Sequence, residues 1–317
     1  MSNEPYFVCV VLVTYNGEKW VRDALCSLAN STVKSHVIVV DNASTDATPD
    51  IIGNEFSNVE LIKLNQNKGF GIGNNIGIAR ALSLGAEFIF LLNQDAFVVP
   101  ETIAQSIRFM EGNVDVGVMS PLHCSPTLES VDYKIISNYL RRYAPNYISD
   151  ACVGAVKSYY DIKGINAAAW FVRASVFKMV GGFDPLFFMY GEDDDLINRF
   201  FYHHIKFVLV PNIKIVHVRE SPVSKISSFW ESVKKTSERV RSSILVELKK
   251  PNLSFSLMIM ILISEGLLKP VAEYLIVRNG KLFMGSVFAA IRLASELLRI
   301  RKHSRLCVIQ GAHFLDM

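Results

Sequence analysis

The chain has 317 residues, half of them apolar and a fifth charged, a composition that supports a sizeable core and excludes wholesale disorder. Net charge is only +3, but residues 1–218 hold 17 Lys/Arg against 22 Asp/Glu and residues 219–317 hold 16 against 8, so an acidic front joins a basic tail suited to an anionic partner such as phospholipid or nucleic acid. The five cysteines (Cys9, Cys26, Cys124, Cys152 and Cys307) are scattered with no CxxC, which argues against a disulfide framework or thiolate zinc site and for a reducing compartment.

In chain order, Met1–Pro5 carries no positive charge cluster, and the apolar run Phe7–Val13 after it is strand-length, so no signal peptide is expected. Strands follow at His36–Val40, Val59–Leu64 and Glu87–Leu92, alternating with helical spacing at Glu18–Ala29, Thr48–Phe56, Ile72–Leu84 and Pro100–Met110. Near-continuous apolar strands between amphipathic helices indicate βαβ units, hence an α/β fold around a mostly parallel sheet. Residues 121–164 read as irregular, a candidate loop or lid region. Regular pattern returns at Ile165–Val172 and Ser175–Val180, with a helix at Glu192–Tyr202 and strands at Lys206–Val210 and Ile213–Val218. Beyond Pro222 the pattern becomes helical at 226–248, 254–277 and 281–301. Phe255–Ser264 is the best candidate for a membrane span, but Glu265, Lys269, Pro270 and Glu273 interrupt its continuation, so an interfacial helix is expected.

Polar residues gather where the first four strands end: Thr14-Tyr15-Asn16, Asp41-Asn42-Ala43-Ser44-Thr45-Asp46, Asn65–Gly69 and Asn93-Gln94-Asp95. Ligands of open parallel sheets bind at the carboxyl ends of the strands, so these clusters should converge on one crevice. Asp41 can accept from a pyrimidine imide or ribose hydroxyl, or merely close an Asx turn. The Gly69-Phe70-Gly71-Ile72-Gly73-Asn74-Asn75 stretch opens a helix, and its small residues would let backbone approach a phosphate or sugar. Asp95 at a strand mouth suits a hard divalent cation (Mg or Mn) held together with phosphates, or a turn. Glu192-Asp193-Asp194-Asp195 crowds four acids at a helix start, where a carboxylate turned inward can act as general base and the alternative is a solvated acidic face. His217, in Ile-Val-His-Val, gains weight only beside a metal.

Taken in order, these residues resemble family 2 glycosyltransferases with the GT-A fold, over about residues 7–220. Val-Leu-Val-Thr14-Tyr15-Asn16-Gly, Val-Val-Asp41-Asn42-Ala-Ser44-Thr-Asp46 and Asn67-Lys-Gly69-Phe70-Gly-Ile-Gly-Asn-Asn75 look like that family's nucleotide-sugar-binding turns. Asn93-Gln94-Asp95 stands in place of its DxD, with a single acid, as in the subgroup that includes rhamnosyl- and galactofuranosyltransferases. The resemblance implies inverting transfer from a nucleotide-diphospho-sugar, with dTDP-rhamnose favoured and a UDP-sugar next. It implies Asp41 at the base, Asp95 and His217 at a metal, and Asp193, then Glu192, as base toward a saccharide or lipid-diphosphate-linked acceptor. It divides the chain into a catalytic domain at 1–222 (nucleotide-sugar half about 1–120, acceptor half about 121–222) and a helical extension at 223–317.

The extension's cations, among them Lys234, Lys235, Arg239, Arg241, Lys249, Lys250, Arg299, Arg301, Lys302 and Arg305, fit either an anionic cytoplasmic membrane face or a helical subdomain with a homodimer interface. Such a location suits surface-polysaccharide biosynthesis. A nucleotidyltransferase would place a Gly-rich basic loop after strand one, where Thr14-Tyr15-Asn16-Gly17 stands instead. No nucleic-acid module is present in the sequence, and nucleic acid is not expected as a partner. A degenerate transferase acting as a glycan- or partner-binding module is the remaining alternative.

Overall fold

The computed structural model describes residues 6–218 and 228–315. The boundary expected at 222 lies outside the described residues. A nine-stranded mixed sheet organises the first 217 residues. Its parallel half runs β3 (Val59–Lys63), β2 (His36–Asp41), β1 (Val8–Thr14), β4 (Phe88–Asn93). Antiparallel β8 (Ala169–Arg173) then joins β4 to β6 (Val116–Cys124), and β6 runs parallel to β9 (Lys206–His217). Two short antiparallel strands, β5 (Ala96–Val98) and β7 (Tyr160–Asp161), pair with β9.

The apolar runs are continuous because both faces of the sheet are covered. On β1, Val8, Val10 and Leu12 pack with Val21, Ala24, Leu25 and Leu28 of α1 (Val21–Ala29), while Cys9 and Val11 face the opposite core with Ile78 and Ala81 of α3 (Phe70–Ser83). Alternation thus persists, with both alternating sets apolar. The glycines of α3 serve this packing. A Cβ at Gly77 would stand 2.3 Å from Val11 Cγ1, and one at Gly73 2.8 Å from Val13 Cγ1. Their close approach is therefore to the protein's own strand, a correction to the expectation of close approach to a phosphate.

Two further expectations change. The two strands foreseen at 206–218 are one, bulged at 211–213, because Pro121 pairs with Val210 and Leu122 with Lys214; Pro211, with no N–H, suits that interruption. The stretch 121–164 is not irregular throughout. β6 continues through Pro121, which lies beyond the two residues (Val118, Met119) that pair with β8, and helical turns fill 133–143 and Pro145–Cys152.

Three long helices, Phe229–Leu248, Phe255–Val277 and Gly280–Leu306, form a third core that takes in Leu186 and Phe187 from the segment before the acidic helix. The second of these runs as one helix, as the pattern over 254–277 predicts. Residues 264–268 wind as a π turn directly ahead of Pro270, where the ladder must give way, and Glu265 pairs with Lys269 at 2.8 Å. At 23 residues and mean hydropathy 1.7 it is long and apolar enough to cross a membrane by length and composition alone.

The helices are tied to the sheet by ions. Lys249, fully buried, contacts Asp184 and lies 3.5 Å from Asp195 Oδ1 and 3.1 Å from Cys307 Sγ. His303 Nδ1 reaches Asp184 at 2.8 Å. Arg199 closes the cluster, donating to Asp195, Val180 O and Gly182 O. Burial opposes the charge on Asp184, but Lys249 and His303 outweigh it and hold the carboxyl well below the usual range. Burial alone would discharge Lys249; Asp195 and Asp184 reverse that and hold it above its ordinary value. Removing one partner of such a cluster leaves an uncompensated charge, so Lys249→Met is expected to cost about 3–5 kcal/mol in urea unfolding. A loss under about 1 kcal/mol would mean that the ions are not coupled to folding.

Candidate active site

The four strand-end loops are stitched together. Thr14 Oγ1 and Tyr15 N both donate to Gln94 Oε1, at 2.6 and 2.9 Å. Asn16 N donates to Ser44 Oγ at 2.9 Å and Thr45 N returns to Asn16 Oδ1 at 2.8 Å. Asn42 bridges to the third loop, giving Nδ2–H to Gly69 O and taking Lys68 N–H on Oδ1. The expected convergence of Thr14, Tyr15, Asn16, Asn42, Ser44, Gly69 and Gln94 is therefore present, carried by bonds between the loops themselves. Asn16 and Ala43 have φ of 48° and 63°, left-handed values that non-glycine residues keep only where the surroundings over-determine them.

Several expected ligand-binding side chains have their capacity occupied by the protein. Asp46 accepts from Thr48 N, Thr48 Oγ1 and Glu18 N. Asn67 closes a turn onto Gly69 N. Asn75 is buried and bonded both ways to the Phe183 backbone, at 2.7 Å each. Its place is thus between α3 and the 181–187 segment, a correction to its reading as a nucleotide-sugar contact. Asp41 differs: Oδ2 takes Ser44 N–H, while Oδ1 is buried with no partner. An orphaned buried acceptor is costly in a finished core and ordinary in a site awaiting a donor.

Beside these loops lies a cleft of about 620 Å³. Phe70, Asn93, Gln94, Asp95, Glu192, Asp193 and His217 line it, so the second and third acidic motifs meet across one space. Of seven buried side-chain atoms without a partner among the described residues, four belong to its lining: Trp20 Nε1, Asn93 Oδ1, Asn166 Oδ1 and Glu192 Oε2.

The acids sit where the helix Glu192–Tyr202 begins, after Gly191 at φ 86°. Helical spacing separates them as expected. Asp195 turns into the ion cluster with Arg199 and Lys249, while Glu192 and Asp193 face the cleft. Asp193 accepts from Ala167 N at 3.3 Å and Asp194 N at 3.2 Å. Burial, chiefly, pushes Asp193 above its ordinary value. Burial and then the Asp193 charge push Glu192 up to about 8, and Asp194 up to about 6. Proton affinity is thereby raised in the two side chains facing the cleft, as general base catalysis at neutral pH requires.

On the opposite wall, Asp95 Oδ1 stands 3.5 Å from His217 Nε2, too far for a good hydrogen bond. The other ring nitrogen of His217 meets His123 Nδ1 at 3.2 Å and has Asp132 Oδ2 at 3.8 Å. A carboxylate and an imidazole nitrogen with no direct bond between them, in one cleft with the unpartnered amide oxygen of Asn93, fit a hard divalent ion, whereas Gln94 Oε1 is taken by Thr14 and Tyr15. A second trio, Asp184, Asp195 and Cys307, has ligand-like spacing. The Lys249 ammonium already fills the place of a cation there, so that group is structural.

The sequence reading missed Trp20, Lys134, Tyr139, Asn166, Tyr190 and, behind His217, His123 and Asp132. Most of these (His123, Asp132, Lys134 and Tyr139) lie in 121–164, where no periodicity marked them. His123 had one usable signal, its position on the strand that runs through Pro121.

The chain matches the family signature described as Glycosyl transferase family 2 over residues 9–157, and that described as N-terminal domain of galactosyltransferase over 149–221. It is 26% identical over 229 residues to the N-acetylglucosaminyl-diphospho-decaprenol L-rhamnosyltransferase of Mycobacterium tuberculosis, covering 66% of this chain and 75% of that one. It is 27% identical over 210 residues to the dTDP-rhamnosyl transferase RfbF of Shigella flexneri, covering 66% and 68%. Among solved structures, S. aureus TarS superposes with a TM-score of 0.57 at 15% identity, covering 95% of this chain but only 54% of the longer TarS chain. The mannosyltransferase PcManGT from Pyrobaculum calidifontis, in complex with GDP-Man and Mn2+, superposes with a TM-score of 0.54 at 15% identity, covering 99% and 86%.

An acid whose folded pKa is raised binds its proton more tightly when folded, so stability falls as pH climbs from the unfolded to the folded value. For Glu192 that window runs from about 4.5 to about 8. Glu192→Gln is therefore expected to raise the thermal midpoint at pH 8.5 and leave it unchanged at pH 4. Equal effects at both pH values would show that the ionised carboxylate is not under strain.

Proposed function

The chain belongs to glycosyltransferase family 2, with the GT-A fold, and from that premise we propose that it transfers a sugar from a nucleotide-diphospho-sugar with inversion at the anomeric carbon. One observation carries the reading: a carboxylate pair of raised proton affinity and an Asp–His pair suited to a metal face each other across one cleft. Asp193, already held by the Ala167 N–H, takes the proton of the acceptor hydroxyl. The hydroxyl oxygen bonds to the anomeric carbon from the face opposite the departing nucleotide diphosphate, whose bond to that carbon breaks. No covalent enzyme intermediate is needed, because Asp193 acts on the acceptor hydroxyl and no side chain has to bond to the anomeric carbon. Asp95 and His217 would hold a divalent ion (Mg or Mn), which supplies charge neutralisation for the diphosphate. The unpaired Asp41 Oδ1 supports a role at the nucleoside base.

For the donor we favour dTDP-rhamnose, with a UDP-sugar second, on the single-acid Asn93-Gln94-Asp95 motif and the two rhamnosyltransferase relatives. For the acceptor we favour a saccharide on a lipid diphosphate, in surface-polysaccharide synthesis at the cytoplasmic face of the inner membrane. Exposed apolar residues on the helix Phe255–Val277 (Met260, Leu275 and Ile276 among them) and nearby Lys269, Arg278 and Lys281 support a seat on an anionic bilayer.

The reading is tested by following nucleotide-diphosphate release from a panel of sugar nucleotides, with and without Mn2+ and with lipid extract as acceptor. Metal-dependent release from one donor is expected; absence of both release and donor binding at millimolar concentration would favour a glycan-binding protein that has lost catalysis. Asp193→Asn should lower turnover at least about a hundredfold while donor affinity, read by calorimetry, stays within about twofold. Because Asp193 is raised, the acid limb of kcat/KM should lie above about pH 4, the ordinary aspartate value, and a limb at or below it would remove Asp193 as the base.

A further inference from the structure

A second groove, of about 540 Å³, leaves the cleft on the side of Asp194. The two spaces share Tyr190, Gly191 and Asp194 as a common wall. Four cations line the second one: Arg142 from the 133–143 helical stretch, Lys163 from the segment before β8, and Arg239 and Lys250 from the third core. Lys250 pairs with Glu247. Arg142, Lys163 and Arg239 form no ion pair with a carboxylate among the described residues. The Arg142 charge is nonetheless felt inside, where it opposes the upward shift of Asp194.

Surface lysines and arginines are ordinarily scattered and solvated. Here three segments far apart in sequence bring theirs to one concavity, against mutual repulsion. The concavity opens beside the candidate base. A phosphate-bearing ligand resolves the repulsion, because guanidinium forks and ammonium groups both bind phosphate oxygens strongly. We propose that this groove is the acceptor's anion subsite: it takes the diphosphate of an acceptor whose sugar hydroxyl reaches Asp193. The assignment rests on the transferase reading above and extends it to the acceptor side. Phe188, Met189 and Tyr190, all exposed, lie at its edge and continue toward Lys234 and Lys235, an amphipathic border suited to the first units of a lipid chain beyond the diphosphate.

The same oxygens are offered by a lipid-linked diphosphate, an anionic lipid headgroup and free pyrophosphate, so the probes must differ. Farnesyl diphosphate, sodium pyrophosphate and phosphatidylglycerol vesicles would each be titrated into the full chain and into an Arg142→Gln/Lys163→Gln/Arg239→Gln variant. These three side chains are exposed, and the variant should fold; its circular dichroism and its nucleotide-diphosphate affinity serve as controls. Farnesyl diphosphate affinity is expected to fall at least tenfold in the variant, while nucleotide-diphosphate affinity stays within twofold. Unchanged farnesyl diphosphate affinity overturns the proposal. So does a loss confined to the vesicles, which would assign the cations to the membrane surface. Pyrophosphate binding that is lost in the variant supports the subsite; pyrophosphate binding that persists and competes only with the nucleotide overturns it. None of these titrations needs turnover, so a failed donor screen would overturn the transferase reading without deciding the groove.

Discussion

A single ammonium group, that of Lys249, holds two parts of the molecule in one arrangement. It is buried between Asp184 and Asp195, and each carboxylate belongs to a different piece of the candidate site. Asp184 lies in the Gly-Gly-Phe-Asp-Pro segment, which Asn75 ties to α3. Asp195 lies two residues past Asp193, which reaches the cleft. The cluster is buried, so the charges of Asp184 and Asp195 are compensated by Lys249 together with His303 and Arg199, and burial would discharge Lys249 without the two carboxylates. Hydrophobic burial supplies most of the driving force for folding, but it is non-directional. The ion cluster is what fixes the rotation of the acidic helix, and with it which acids look inward.

That rotation separates four neighbouring acids into distinct environments. Asp195 meets Arg199 and Lys249, and its charge is compensated. Glu192 is buried and Asp193 half-buried at the cleft, neither in an ion pair among the described residues, and their protons are held more tightly. Asp194 faces the cationic groove, where Arg142 partly offsets its neighbours. One helical turn thus separates a charge-compensated carboxylate from carboxylates of raised proton affinity among almost identical side chains.

The parallel half of the sheet was legible because its strands are apolar on both faces and end in clustered polar residues, which two-sided burial and strand-end ligand sites both require. The acidic helix, with its acids turned in different directions, followed from helical spacing. Other features depend on contacts far apart in sequence. Nothing local tells that Asn75 bonds to Phe183, or that Gly73 and Gly77 are small because Val13 and Val11 press against them. β6 was hidden by Pro121, which is tolerated only because the neighbouring antiparallel ladder has already ended. The helix Phe255–Val277 was legible as a helix, but the π turn ahead of Pro270 has no evident signature in sequence. The cleft residues between 133 and 168 are placed by packing rather than by period, so their chemistry emerges only in three dimensions.

The order in which these groups leave the ribosome gives the ion cluster a temporal meaning. Asp184 and Asp195 are synthesised 65 and 54 residues before Lys249 and more than a hundred before His303 and Cys307. Until those later residues emerge, the two carboxylates have every reason to stay in water, and the acidic helix cannot settle against the sheet. Most strand pairings of the parallel half are made early, the later exceptions being β4 with β8 and Asn75 with Phe183, so that half can form first. The candidate cleft would then close last, with its strand-end loops in place well before its acidic helix.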